Sequence, residues 1–253
     1  MVLTPVIQWL RQRPGLAGFG AGALLVTALT LATQAPRQKA TDRAATERIV
    51  HDYLLAHPEI IPEAINGMQS REVTKLLASN RNAIETPFAG AYAGNKDGDV
   101  VVVEFFDYAC PYCRAAHADV KTLLAGDPKL KVVFRDFPVL SPESDEAALA
   151  SLSAAQQHRY PAFYDRMFET DGKLSRERTI AAVRAAKLDE KRTAADMANP
   201  ALRTEIKANL ELGRALGLTG TPSFIIGNKI LSGAVGIDAL RAAVLAARDA
   251  KGR

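Results

Sequence analysis

Residues 100–113 read Val100-Val101-Val102-Val103-Glu104-Phe105-Phe106-Asp107-Tyr108-Ala109-Cys110-Pro111-Tyr112-Cys113. Four valines and two phenylalanines around a single acid make an apolar run of strand length, the pattern of a buried strand. The residues from Arg114 to Leu124 read as a helix, so the two cysteines fall at a strand-to-helix junction. They are the only cysteines in a chain of 253 residues. A lone pair two residues apart cannot build a disulfide framework between distant loops. It closes on itself, binds something, or exchanges with the sulfurs of a partner.

On the C-terminal side, Lys129 to Phe137 alternates into a second strand, which makes a strand–helix–strand unit with parallel strands. Residues 144–216 carry no convincing strand. Ala-rich helical stretches cover about 145–157, 161–170, 176–186, 190–198 and 202–216. Ser223-Phe224-Ile225-Ile226 and Lys229-Ile230-Leu231-Ser232 are strands separated by Gly227-Asn228, a two-residue hairpin signal, and a last helix spans about 237–249. On the N-terminal side, residues 90–98 form a turn-rich approach to the first long strand. Residues 42–56 are helical in pattern, with Ile49, Val50, Tyr53 and Leu54 at helix-face spacings, and Pro58 ends that helix. Pro62 opens a second helix towards Asn82, with Ile61, Ile65, Met68 and Leu76 on one face and Glu72 interrupting it. Two helices without a core of their own pack on the main domain or on another subunit. A structural lead-in and an oligomerisation arm fit the pattern equally.

This order describes the α/β class: a thioredoxin fold with a helical insertion, preceded by an N-terminal helical extension and a hydrophobic signal or anchor segment. The expected division is a signal-anchor or signal peptide over 1–35 and the helical extension over 36–85. A thioredoxin-like domain then fills 86–253, its insertion covering about 141–216.

The composition, 48% hydrophobic and 24% charged, is ordinary for a globular protein, and a formal charge of +4 gives no electrostatic footprint for nucleic acid. Between Arg13 and Arg37 lie 23 residues without a charge. As a helix they would span about 35 Å, enough for a hydrocarbon core of roughly 30 Å. Arg11 and Arg13 precede the run, which keeps the N-terminus cytoplasmic and exports the rest, with Trp9 placed for the membrane interface. Thr30-Leu31-Ala32 and Thr33-Gln34-Ala35 are tolerable cleavage sites, but Pro36 follows the second directly and the run is long for a signal core. The expectation is an uncleaved signal-anchor that tethers the body at the inner membrane, facing the oxidising periplasm.

Cys110 falls at the helix start, where unpaired N–H groups and the helix dipole favour an anion, so it is the expected exposed, attacking sulfur. Cys113, one turn on and more buried, is the expected resolving thiol. Pro111 suits a first helical turn, and Tyr112 adds aromatic surface without charge. No histidine lies between the cysteines to favour the thiolate further, so a milder potential than that of a strong oxidant is expected. Glu104, six residues before Cys110, is expected beneath the dithiol as a buried acid shuttling a proton to or from Cys113. Thr221-Pro222, before the last hairpin, is expected to face the dithiol and offer the Thr221 backbone to an extended peptide. Asp107 is read as a cap for the redox helix. His117 could join the cysteines around a soft metal, but three ligands on one short helix are an incomplete site, so it is read as a surface or packing histidine.

The segment from Glu104 to Cys113, taken with Gly220-Thr221-Pro222-Ser223-Phe224, resembles the exported DsbA-like thiol–disulfide oxidoreductases, and agreement is closest to the ScsC-type branch. The likeness covers roughly residues 46–250, including His57-Pro58-Glu59 and the Tyr160-Pro161-Ala162-Phe163-Tyr164 stretch. It implies that Cys110 is the nucleophile, Cys113 its partner, Glu104 the buried acid and Pro222 a cis-proline. Pro111, Tyr112 and Thr221 are then the candidate substrate-binding residues. The implied partners are proteins with thiols or disulfides and a membrane-bound or soluble redox protein. No cofactor is implied. Branch members with a comparable N-terminal extension form oligomers and act as isomerases or reductases. The different reading is a non-catalytic module whose thiolates hold copper(I) or zinc.

Overall fold

The computed structural model describes residues 42–252. The expected signal or anchor segment lies outside these residues. Among the described residues, no helix is long and apolar enough to cross a membrane.

The chain divides at Met68 into two units. In the first, residues 42–56 form helix α1, ended by a bond from His57 N–H to the Tyr53 carbonyl just before Pro58. Helix α2, Ile60–Ser79, runs through the division. Its expected apolar stripe is largely open, since Ile61, Ile65 and Met68 are all exposed. Leu77 in the second unit, off that stripe, is fully buried.

The second unit is built on a five-stranded sheet: β1 (Tyr92–Gly94), β2 (Val100–Phe106), β3 (Leu130–Asp136), β4 (Ser223–Ile226) and β5 (Lys229–Ser232), in the spatial order β1-β3-β2-β4-β5. β2 and β3 are parallel and joined by helix α4, Pro111–Gly126; the other pairings are antiparallel. A hairpin turn at Gly227-Asn228 joins β4 to β5, with Gly227 at φ 58°, a left-handed value that glycine tolerates. The sequence reading of 90–98 as turns missed β1, which pairs through Tyr92, Ala93 and Gly94 alone. Three residues are too few to show alternation.

Strand alternation sorts β2 between two cores. Val102 and Phe106 join the cluster beneath α4, while Val103 and Phe105 join Leu77, Ile84, Phe137, Leu216 and Ile225 on the opposite face. Helix α3, Arg81–Glu85, is fastened to that second face by the buried Arg135, whose guanidinium donates to the Ala83, Ile84 and Thr86 carbonyls and to Asn209.

The insertion holds five helices: α5 (Pro142–Gln156), α6 (Tyr160–Glu169), α7 (Arg176–Ala185), α8 (Glu190–Ala198) and α9 (Pro200–Ala215). Local capping explains where three of them start: Ser141, Ser175 and Asp189 each accept a backbone N–H from three residues on. In α5, Ala147, Ala148, Ala150, Ala154 and Ala155 are buried, and their small side chains let neighbouring helices approach closely. Helix α10, Ile237–Lys251, closes the unit by packing Leu240, Ala243 and Val244 into the cluster under α4.

Candidate active site

β2 delivers the chain through Asp107, Tyr108 and Ala109 to Cys110, which stands immediately before α4 with extended backbone angles. Pro111 occupies the first turn, where its missing N–H costs nothing. Cys110 N–H donates to the Asp107 carbonyl at 3.0 Å, and the Cys110 carbonyl accepts from Arg114 N–H at 3.1 Å, so the backbone of Cys110 is fixed from both sides. Its thiol donates to the Thr221 carbonyl at 3.2 Å. The expected exposure of Cys110 is corrected: both thiols are free and buried, with 5% of Cys110 and none of Cys113 accessible. The Pro111-Tyr112 dipeptide carries the open surface instead, with Tyr112 65% exposed.

The Thr221–Pro222 peptide bond is cis. Pro222 is buried, its carbonyl accepts from Gly233 N–H at 2.8 Å, and Ser223 Oγ donates to the Gly220 carbonyl at 2.7 Å. These bonds hold the loop that brings the Thr221 carbonyl to Cys110.

Glu104 is fully buried on the face of β2 that carries Val102 and Phe106. Tyr164 of α6 donates its hydroxyl to Glu104 Oε2 at 2.7 Å, whereas Oε1 is buried with no hydrogen-bond partner among the described residues. Loss of water pushes the carboxyl up to about 8, and the Tyr164 hydroxyl, which favours the charged form, opposes that rise. Burial likewise raises the Cys113 thiol, and the Glu104 charge adds to the rise.

A second buried acid escaped the sequence reading. Asp136 ends β3 opposite Phe106 and accepts from Ser151 Oγ at 2.6 Å and from the Tyr160 hydroxyl at 3.0 Å. Burial lifts it to about 7. Tyr160 and Tyr164 lie one turn apart on α6, each donating to one acid, and Phe134 of β3 stacks on Tyr160 at 5.3 Å and meets Tyr164 tilted at 4.4 Å. No sequence signal marked the pair: Tyr160 precedes the helix expected over 161–170, and nothing local ties either tyrosine to an acid on the sheet.

The sequence reading of Asp107 as a cap for α4 is corrected: the helix has no side-chain cap. Asp107 accepts through Oδ1 from Ala109 N–H at 2.8 Å and Ser144 Oγ at 2.7 Å, and through Oδ2 from Val139 N–H at 2.9 Å and Leu140 N–H at 3.0 Å. It therefore ties the turn before Cys110 to the loop carrying the exposed Val139 and Leu140. His117 is a packing residue on the inner face of α4, its ring against Tyr164 and Phe168 and its Nε2 2.8 Å from Asp165 Oδ1. Donor atoms of His117, Asp165 and Glu169 lie within 4.8 Å of one another, a group that includes neither cysteine. Lys121 holds Glu169 at 2.7 Å, so the cluster is an ordinary ion-pair network.

Two family models match the chain: thioredoxin over residues 88–246, and the N-terminal domain of the copper resistance protein ScsC over residues 42–72. A thioredoxin-like oxidoreductase from Silicibacter pomeroyi is 39% identical, with 67% of this chain and 98% of that one aligned at a TM-score of 0.64. The catalytic domain of Proteus mirabilis ScsC is 28% identical, covering 70% of this chain and 98% of that one at 0.64. A periplasmic thioredoxin-like protein from Salmonella enterica serovar Typhimurium is 26% identical, covering 67% and 95% at 0.59. Among curated proteins, a Na(+)/H(+) antiporter NhaA from Salinispora tropica is 26% identical over 185 residues, which is 70% of this chain and 28% of that protein. The chain thus spans under a third of the length of such antiporters.

Proposed function

The chain belongs to the thioredoxin family, as a DsbA-like thiol–disulfide oxidoreductase of the ScsC type, and from that premise we propose that it exchanges disulfides with exported proteins through Cys110 and Cys113. The observation that carries this reading is the seat of Cys110 at the start of α4, its sulfur 3.2 Å from the Thr221 carbonyl, with Cys113 and Glu104 wholly buried. Cys110, as thiolate, attacks a substrate disulfide; one substrate sulfur leaves and the other stays bonded to Cys110. Glu104 takes the proton of Cys113, whose thiolate attacks the Cys110 sulfur. The Cys110–Cys113 bond forms and the second substrate sulfur departs as a thiolate carrying the electron pair. The reverse sequence oxidises a substrate dithiol. Pro222 and Thr221 offer backbone to an extended peptide across from Cys110, and Pro111 and Tyr112 supply the contact surface beside it.

Replacing Cys110 by serine is expected to abolish dithiol-dependent reduction of a protein disulfide, and Cys113→Ser to accumulate the mixed disulfide. Turnover by C110S would overturn the reading. The reduction potential of the Cys110–Cys113 pair, measured beside refolding of a scrambled-disulfide protein, assigns the direction. A low potential with rescue marks an isomerase or reductase, and a high potential without rescue an oxidase.

The periplasm is the proposed compartment, in keeping with the periplasmic Salmonella protein and with the export pattern of the first 37 residues. An uncleaved tether at the inner membrane, passing electrons to or from a membrane-bound or soluble redox protein, is the finer proposal, and fractionation of the full chain tests it. The copper-resistance description of the family matched at residues 42–72 favours a second reading, in which the dithiol holds copper(I) or zinc. Stoichiometric metal that protects both cysteines from alkylation would support it.

A further inference from the structure

The proton-transfer step proposed above places Cys113 and Glu104 beside the helical insertion's Tyr164, which is bonded to Glu104. Glu104 reaches the site from the sheet and Tyr164 from α6, 60 residues later in the chain, and the hydrogen bond between them is 2.7 Å long with both groups fully buried or nearly so. We propose that Tyr164 is the positioning residue for this step: its hydroxyl holds Glu104 by Oε2 and leaves Oε1 as the one oxygen free to take the Cys113 proton. The proposal rests on the exchange role given above to Cys110, Cys113 and Glu104.

Three observations support it. Oε1 is buried and has no partner among the described residues, a costly state for a carboxyl oxygen unless it is used. The Glu104 charge adds to the rise that burial imposes on the Cys113 thiol, so the charge state of Glu104 bears on that thiol. The Tyr164 ring cannot swing away, because Phe106 and Phe168 meet it edge-on at 5.2 and 5.0 Å and Phe134 lies 4.4 Å off.

The surroundings leave few alternative regulators of Glu104. Cys110 stands just before helix α4, which contributes Cys113 and His117, whose ring lies 5.4 Å from that of Tyr164. The loop before α4 contributes Tyr108, β3 contributes Asp136, and α6 contributes Tyr160 and Tyr164. Neither β4, Ser-Phe-Ile-Ile, nor the buried face of α10, Leu240, Ala243 and Val244, carries a titratable group. Among the described residues, Tyr164 is the one hydroxyl bonded to Glu104. In the step it assists, Cys113 S–H gives its proton to Glu104, the Cys113 sulfur bonds to Cys110, and the Cys110–substrate bond breaks with its electrons leaving on the substrate sulfur. Tyr164 remains a phenol throughout.

The test is single-turnover release of a chromogenic aromatic thiol from its mixed disulfide with Cys110, followed between about pH 5 and pH 10 in the wild type, Y164F, E104Q and the double variant. A hydroxyl donating to a carboxylate lowers its pKa, so Y164F is expected to move the rise in rate upward by about one unit. At pH 7 release then slows about tenfold, and the difference closes at the alkaline end. In the E104Q background the same change is expected to alter nothing further. Y160F, which takes the matching hydroxyl from Asp136, is expected to keep the wild-type profile. An equal slowing by Y164F at every pH, an undiminished effect in E104Q, or the same shift from Y160F would each overturn the role of Tyr164. If E104Q itself keeps the wild-type profile, the role of Glu104 as the proton acceptor fails first, and this inference fails with it.

Discussion

Glu104 shows what a buried acid costs and how that cost depends on pH. Its folded-state value stands near 8 against 4.5 for an ordinary glutamate. Below about pH 4.5 the carboxyl is neutral both folded and unfolded, and no penalty exists. As pH rises from there towards 8, the unfolded chain releases the proton while the folded one keeps it, so stability falls; beyond 8 the loss is constant. At pH 7 the penalty is about 3 kcal/mol, from the same linkage. Glu104→Gln removes the ionisation and leaves an unpaired amide that costs about 1 kcal/mol at every pH, so the reduced protein is expected to gain about 2 kcal/mol at pH 7 and to lose up to about 1 kcal/mol at about pH 4.5. Urea unfolding at the two pH values measures this; a gain that is equal at both would disprove the assignment of the raised pKa to Glu104. Asp136, lifted to about 7, imposes a penalty of the same sign, so some pH dependence is expected to remain in E104Q. Glu104 was legible in the sequence because one acid stood among valines and phenylalanines. Tyr164 was not, because a tyrosine on an amphipathic helix gives no sign of which distant acid it meets.

At the scale of elements, the strands and helices that could be read were those whose pattern repeats long enough to be counted. Ser223–Ile226, Lys229–Ser232 and the five insertion helices stand within a few residues of their expected bounds, since Pro, Gly and capping residues punctuate them. β1 failed that test by its shortness. The part played by Asp107 was illegible for another reason: its partners at Val139 and Leu140 are 32 and 33 residues away, and no local pattern announces a bond of that span. Close contact between elements was equally hidden. Gly213 of α9 faces the Phe137 ring, and a Cβ there would overlap it. Phe137 is buried and set edge-on to Phe105 at 5.8 Å, so it has little room to retreat. Gly213→Ala gains about 1 kcal/mol of helix propensity and loses about 1–3 kcal/mol to overpacking. A net loss of about 1 kcal/mol is expected, read as a lower urea midpoint. A higher midpoint would mean that Phe137 yields.

For the whole molecule, the open question is what the first helices meet. Ile49 and Leu55 are 69% and 70% exposed, and Val50, Tyr53, Ile61, Ile65 and Met68 are exposed with them. So many large apolar side chains on one short segment are unusual for a soluble surface. The sequence stated the apolar spacing but could not say whether a lead-in or an arm results. We propose an arm that joins copies of this chain. Ile49→Glu with Leu55→Glu is then expected to lower the mass of the chain measured by light scattering, without changing the release rate at the dithiol. An unchanged mass would rule out a self-associating arm.

Helix α6 has a consequence for anyone who would treat residues 141–216 as an interchangeable cassette. Tyr160 and Tyr164 reach from that segment into the sheet and ground the two acids buried there. A chimera that borrowed this stretch from a relative would transplant a cover and, with it, part of the acid–base inventory of the host. Parentage of the catalytic behaviour would then be shared between donor and recipient, however faithfully the Cys-Pro-Tyr-Cys sequence was kept.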